Sequence, residues 1–366
     1  MIYMDFAATS PMSPRALQAY CDIAQRYYGN SASLHDLGGQ AHYFVEQARE
    51  IVAKTLGVDK NGIIFTGSGT EGNLLSILSL ALASKKGQHI ISSQAEHTSV
   101  HAALNTLEKM GFTVTKLPLQ LDGCIHVEQV REAIREDTAL ITIQHVNSEI
   151  GSIQPVKEIA RIAHCENIFF HVDCVQSYCK LSIDSFSAYV DALTLSAHKI
   201  GGPKGCGAVY INPKIRVPAL TPGVTHERGL RGGTIDTPAI VAFATAIENY
   251  HYERQHYEAL RQYFKGKLPP ACRLTESKEQ LPTICGLMMD NVEGQYVLLK
   301  LNEKGICIST GSACDIHSES GTKAILSMGY TMEEARRFFR ISFGPTTTFQ
   351  EIDQVLAALT NILVKY

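Results

Sequence analysis

The stretch "LTLSAHKIGGPKGCG", Leu193–Gly207, decides the reading of this chain. An apolar β-type run, Val190–Leu195, ends in Ser196, His198 and Lys199, and four glycines follow within eight residues. A lysine at the end of a buried strand is costly unless it is paired, neutralised or used covalently. The question it raises is what stands beside it, so the other strand ends come next.

Short β-type runs occur at Ile63–Thr66, His89–Ser92, Ala139–Gln144, Ile168–Val172 and Ala208–Ile211. Helical patterns alternate with them, from about Glu71, over Val100–Met110 and around Val156–His164. That alternation predicts an α/β fold with an open, mostly parallel sheet covered by helices. A polar helical stretch, Glu248–Phe264, follows, then "KLPPACRL" breaks the pattern, and a second α+β unit is expected in the last third.

In open α/β sheets ligands bind beyond the carboxyl ends of the strands. Here those ends carry "GSGTEGN", "SQAEH" with His97, "HVNSEIG" with Asn147, "DCVQ" with Asp173 and Gln176, and "SAHK". One polar strand end is unremarkable, but five point to one convergent site. Gly67, Gly69 and Gly72 spell G-x-G-x-x-G, yet no acidic residue ends the following strand to hold a ribose. The simpler reading is a glycine turn whose amides, with the Thr70 hydroxyl, hold one phosphate at a helix N-terminus; a mere tight turn is the alternative.

Composition limits the rest. The chain has 366 residues, 45% hydrophobic and 19% charged, enough for a large core and two domains. A net charge of −3 gives no electrostatic case for nucleic acid or an anionic membrane. "MIYMDFAATS" lacks the basic start and apolar run of a signal peptide, and "LLSILSLALA" (Leu74–Ala83) is too short to span a bilayer. The expectation is a cytoplasmic protein. Ten scattered cysteines argue against a disulfide framework, and Cys314–His317 alone is too little for a zinc site.

A phosphate cradle, a lysine and an aspartate on one sheet edge suit pyridoxal phosphate (PLP). Its aldehyde bonds covalently to a lysine, and a carboxylate keeps its ring nitrogen protonated. Lys199 and Asp173 suit those roles, with Ser196 and His198 as further phosphate donors. The pattern alone leaves PLP and other uses open, a snorkelling surface lysine among them.

At this point the chain resembles the class V aminotransferase-fold PLP enzymes, and within them the NifS/IscS-type cysteine desulfurases. The likeness runs in order through "MDFAATSPMSP", "YYGNSASLHDLG", "IIFTGSGTEGN", "AEHTSV", "HVNSEIGSIQPV", "FHVDCVQSYCKLSID", "LSAHKIGGPKGCGAVYI", "HERGLRGGT", "ISTGSAC" and "RISFG". It implies the aspartate aminotransferase-like, fold type I architecture. A large PLP-binding domain over 12–250 would carry a seven-stranded-type sheet, and residues 1–11 plus 251–366 would form a smaller α+β domain bearing the cysteine loop.

By the same resemblance Lys199 is the Schiff-base lysine, Asp173 the partner of the pyridine nitrogen and Gln176 that of the ring hydroxyl. His97 stacks on the ring and moves protons. Thr70, Ser196 and His198 hold the phosphate with the backbone near Gly69, and Thr234 reaches it from the second subunit of a homodimer. Asn147 and Arg340, with Asn30, hold the substrate carboxylate, and Cys314 is the nucleophile. The implied reaction converts L-cysteine to L-alanine and hands sulfur, carried as a persulfide, to an acceptor protein. An iron–sulfur scaffold or a thiolation enzyme would be that acceptor. The sequence departs from the family pattern with Gly69 where alanine is common, Gly232 where serine is common, and Cys174 beside Asp173. The rival readings are a selenocysteine lyase or aminotransferase on the same fold, a nicotinamide oxidoreductase, and a non-catalytic sulfur carrier. The first would not need "STGSAC" as a mobile nucleophile loop, the second leaves Lys199 unexplained, and the third would be expected to lack Lys199 or Asp173.

Overall fold

The computed structural model describes residues 1–311 and 322–365. Twelve strands run β1 (Ile2–Tyr3), β2 (Ile63–Thr66), β3 (His89–Ser93), β4 (Thr113–Leu117), β5 (Thr138–Gln144), β6 (Phe169–Asp173), β7 (Ala192–Ser196), β8 (Gly207–Ile211), β9 (Cys272–Leu274), β10 (Ile284–Met289), β11 (Ile306–Cys307) and β12 (Phe338–Ser342). Seven form one sheet, ordered β2-β8-β7-β6-β5-β3-β4, in which only β8 runs against the rest.

The runs in β2, β3, β5, β7 and β8 are buried at every residue. Continuous apolar strands of that kind belong in a sheet covered on both faces. After α1 (Pro14–Arg26), α2 (Asp36–Leu56) and further helices cover one face, where Val45, Ala48, Val52 and Leu56 recur at helical spacing against Phe65, Ile141 and Phe170. The other face packs under the helices Gly69–Ala83 and Thr98–Lys109.

A separate core joins Met4 with Leu260, Phe264, Leu287, Phe339 and Leu359 around the antiparallel sheet β12-β10-β9. The N-terminus enters it through the parallel pair β1-β11 and the bridge of Asp5 with Ser342.

The six strands read from sequence match those of the large sheet to within two residues; the five strands outside it were not singled out, and its seventh strand, Thr113–Leu117, was missed. Its residues are mostly half-buried and polar, as an edge strand tolerates. The helical stretch placed at Glu248–Phe264 is two helices, Thr237–Asn249 and Arg254–Gly266. Between them Tyr250 is extended, and the Tyr252 ring stacks on Tyr257 with centroids 4.9 Å apart. Among the described residues no helix is long and apolar enough to cross a membrane.

Candidate active site

The carboxyl ends of β2, β3, β5, β6 and β7 meet at one edge of the large sheet, and a cavity opens there. Of the residues singled out from sequence, Gly69, Thr70, His97, Asp173, Gln176, Ser196, His198, Lys199 and Arg340 line it.

The glycine turn after β2 starts the helix Gly69–Ala83, here α3, capped by the Ser68 hydroxyl, which accepts from the Glu71 amide at 3.1 Å. The first amides of the helix, at Gly69 and Thr70, have no intrahelical partner and lie at its positive end. Gly69 is required sterically: a Cβ there would lie 2.8 Å from Val175 Cγ2.

Asp173, the last residue of β6, is buried. Its Oδ1 accepts from the Val175 amide at 2.9 Å and its Oδ2 from Asn73 Nδ2 at 2.7 Å. Asn73 also donates to Ser99 Oγ at 2.9 Å, and that hydroxyl lies 2.7 Å from His97 Nδ1. Because Ser99 Oγ accepts from Asn73, its proton points to Nδ1, which also accepts from the Ser99 amide at 3.2 Å. Nδ1 is therefore the acceptor nitrogen of His97, and the neutral ring carries its proton on Nε2.

Lys199 closes the short 3₁₀ turn Ala197–Lys199, and its Nζ donates to the carbonyls of Ala7 and Ala8. The chain can turn back immediately because Gly201 and Gly205 take φ values of 76° and 73°. His198 Nδ1 lies 3.1 Å from Thr9 Oγ1, and burial with nearby Lys199 and Lys204 pushes its pKa down to about 4. Beside His97, burial lifts the Glu96 carboxyl to about 8, against the hydrogen bond it accepts from Ser93 Oγ at 2.6 Å.

Arg340 comes from the small sheet. It is 2% exposed, donates from Nη1 to the Ser148 carbonyl at 2.7 Å and from Nη2 to Asp5 Oδ1 at 2.9 Å. Asn147 does not line the cavity. Its Oδ1 accepts from the amides of Glu149 and Ile150, and its Nδ2 donates to Ala95 O at 3.2 Å, so it shapes the turn that offers Ser148 to Arg340. Asn30 and Thr234 are exposed and lie away from the cavity, Asn30 holding the Ala32 amide at 3.0 Å. Cys314 lies outside the described residues.

Asn73, Ser99 and Asp5 were not singled out from sequence. Asn73 had a signal, since it lies four residues after Gly69 and thus on the same helix face. Asp5 had none, because its partner is 335 positions away.

Ten buried side-chain polar atoms have no hydrogen-bond partner among the described residues, and four belong to this cavity: Asn73 Oδ1, Gln176 Oε1, Ser196 Oγ and Arg340 Nε. Orphaned buried polar atoms are rare and mark a missing partner. An unpartnered hydroxyl beside the α3 N-terminus, a carboxamide acceptor, a buried carboxylate and a lysine form a set that fits PLP.

The chain matches the aminotransferase class-V family over residues 2–355. It belongs to that family, on the branch of the NifS-type cysteine desulfurases. The putative cysteine desulfurase NifS of Bacillus subtilis (strain 168) is 41% identical, over 98% of this chain and 94% of its own length. Among solved structures, a NifS-like protein is 31% identical and covers all of both chains with a TM-score of 0.91. SspA in complex with cysteine is 35% identical over 95% of this chain and 100% of its own, with a TM-score of 0.84. The expected family and its α/β fold with a mostly parallel seven-stranded sheet are thus found.

Proposed function

We propose that this chain is a PLP-dependent cysteine desulfurase. It converts L-cysteine to L-alanine and passes the sulfur, held as a persulfide on Cys314, to an acceptor protein for iron–sulfur cluster assembly or related sulfur metabolism. The observation that carries the reading is the gathering of four orphaned polar atoms on a cavity that also holds Lys199 and Asp173. Kinship with a putative cysteine desulfurase and with a protein solved in complex with cysteine supports the choice of substrate.

The phosphate of PLP would be held by the Gly69 and Thr70 amides, the Thr70 and Ser196 hydroxyls and His198. Burial and the nearby lysines hold the His198 pKa down, which favours the neutral imidazole as a hydrogen-bond partner. Asp173 would keep the ring nitrogen protonated, the unpartnered Gln176 Oε1 would accept from the ring hydroxyl, and Lys199 would be the covalent anchor. Bound there, PLP supplies an electron sink for the bonds around the substrate α-carbon.

The chain's own residues do the rest. Lys199 and His97 hold and move protons, and the Nε2–H of His97 is the proton its hydrogen bonds make available. Arg340 receives the substrate carboxylate, held in place by the turn that Asn147 shapes and that offers it the Ser148 carbonyl. An arginine fork binds a carboxylate in two places. The Cys314 thiolate attacks the substrate sulfur. The carbon–sulfur bond breaks, its electron pair stays on the carbon that takes a proton and becomes the alanine methyl, and sulfur remains on Cys314. Thr234, on an exposed loop, would reach the phosphate of the second subunit, making the working unit a homodimer. A cytoplasmic location belongs to the same reading.

The test is to incubate PLP-loaded protein with L-cysteine and follow alanine, sulfide and the mass of each thiol. Wild-type protein should form alanine and gain one sulfur on Cys314, removable by reductant. Cys314→Ser should keep its cofactor and lose alanine formation. Wild-type alanine formation in that variant, or added sulfur on Cys174, would overturn the mechanism.

A further inference from the structure

We infer that Arg231 is a positioning residue for the cofactor phosphate: it neutralises Glu71, a carboxylate that stands at the entrance of the α3 anion cradle. The inference rests on the PLP reading above.

Glu71 lies in the first turn of α3, next to Gly69 and Thr70, which line the cavity. Its Oε2 accepts from the Gly67 amide, which folds the carboxylate back over the residues leading into the helix. A Cβ on Gly67 would lie 3.0 Å from that oxygen and 3.6 Å from Arg231 Nη2, so carboxylate and guanidinium both press on this turn. Arg231 Nε donates to Glu71 Oε1 at 2.8 Å. The positive end of a helix attracts a carboxylate and a phosphate alike. An unpaired Glu71 would therefore compete with the phosphate for α3 and repel its charges. The cradle is built for an anion, because the Ser196 hydroxyl that lines it is 2% exposed and without a partner. Pairing with Arg231 cancels the local negative charge and leaves the Gly69 and Thr70 amides to the ligand.

Arg231 acts from a fixed base. Just before it, Glu227 and Arg228 take φ values of 43° and 60°, a left-handed conformation that non-glycine residues rarely hold. Glu227 is kept there by Arg49 Nη1 and Nη2 at 3.0 and 2.8 Å and by the Phe65 amide at 2.6 Å. Phe65 is two residues from Gly67 on β2, so the segment carrying Arg231 is tied to the strand that enters the cradle.

The test is a double-mutant cycle read by cofactor affinity, with PLP compared against pyridoxal, which lacks the phosphate. Arg231→Gln should bind PLP roughly tenfold more weakly and pyridoxal with less than about a threefold change. Glu71→Gln should bind PLP at least as tightly as wild type. The Glu71→Gln/Arg231→Gln double variant should recover to within about threefold of wild type, because the charge that Arg231 cancelled is gone. Arg231→Lys should stay near wild type. Equal losses for PLP and pyridoxal, unchanged PLP affinity in Arg231→Gln, or a double variant as weak as Arg231→Gln would each overturn the inference while wild type still binds PLP. A wild-type protein that binds no PLP would overturn the cofactor reading itself, and this inference with it.

Discussion

The two walls of the cavity are built by opposite means. On the large-sheet side, polar side chains sit at the ends of buried strands, and each is placed by the strand that precedes it. Asp173 ends β6, Ser196 ends β7, and Gln176 Oε1 and Ser196 Oγ are left without partners. On the small-sheet side a single arginine enters from β12, engaged through both Nη atoms and left without a partner only at Nε. Arg340 meets Asp5 from the N-terminus and Ser148 from the turn after β5. One wall is preorganised and waits for a ligand. The other holds its cation through a substitute carboxylate, Asp5, that a substrate carboxylate would have to share or displace. Under the proposed function the first wall would take the cofactor and the second the substrate carboxylate.

The largest expected effects separate the walls. Asp173→Asn keeps shape and removes the charge that the wall provides, so turnover should fall by about a hundredfold to a thousandfold while cofactor stays bound. Arg340→Gln should act on the other axis, raising the KM for cysteine by roughly tenfold to a hundredfold, the range expected for a lost charge-assisted hydrogen bond. Steady-state kinetics with the absorbance of bound cofactor reads both. If Asp173→Asn changes only KM, or Arg340→Gln releases the cofactor, the division of labour between the walls is wrong.

A smaller effect tests how closely the cofactor wall is fitted. A Cβ on Gly69 would collide with Val175 Cγ2 at 2.8 Å, and Val175 follows Asp173 by two residues. Gly69→Ala should cost about 1–3 kcal/mol through overpacking and weaken cofactor binding. Adding Val175→Ala should restore most of both, as thermal melting and PLP titration would show. A side chain at this position is thus disfavoured here by a valine on the neighbouring strand end. A Gly69→Ala variant as stable as wild type would mean that the turn relaxes freely.

The same contrast explains what could be read from sequence. Strand ends announce themselves locally, because an apolar run stops and a polar residue follows, so Asp173, Lys199, His97 and Ser196 were legible one strand at a time. The turn after β2 was legible from its glycines and the helix behind it. Asn73 was within reach of helical spacing. Arg340 and Asp5 were different. Nothing in a run such as Phe338–Ser342 says that its one charge faces a cavity, since that depends on how a second sheet packs on the first. The family resemblance supplied Arg340, and no local pattern supplied Asp5. The resemblance also pointed to Asn147, whose side chain turns out to bind the backbone of its own turn and Ala95.

The last prediction concerns a buried carboxyl next to His97, outside the cavity lining. Glu96 is 2% exposed, accepts one hydrogen bond from Ser93, and leaves Oε2 without a partner. Burial raises its pKa from the ordinary 4.5 to about 8, and the charge of Asp173 pushes it further in the same direction. The folded protein therefore keeps a proton on Glu96 that the unfolded chain releases above pH 4.5. Stability from this group is complete below that value and falls as pH rises toward 8, because only the unfolded state then ionises freely. Glu96→Gln keeps the shape and cannot ionise, so it should match wild type near pH 4.5 and melt progressively higher than wild type as pH approaches 8. Thermal denaturation across that range gives the difference directly. A constant gap between the two proteins would show that Glu96 is already ionised in the folded state. Glu96→Gln should also leave cofactor affinity near pH 7 little changed, because a neutral Glu96 adds no second anion near the wall. If removing it altered PLP binding as strongly as Asp173→Asn alters turnover, the wall would hold two working carboxylates and not one.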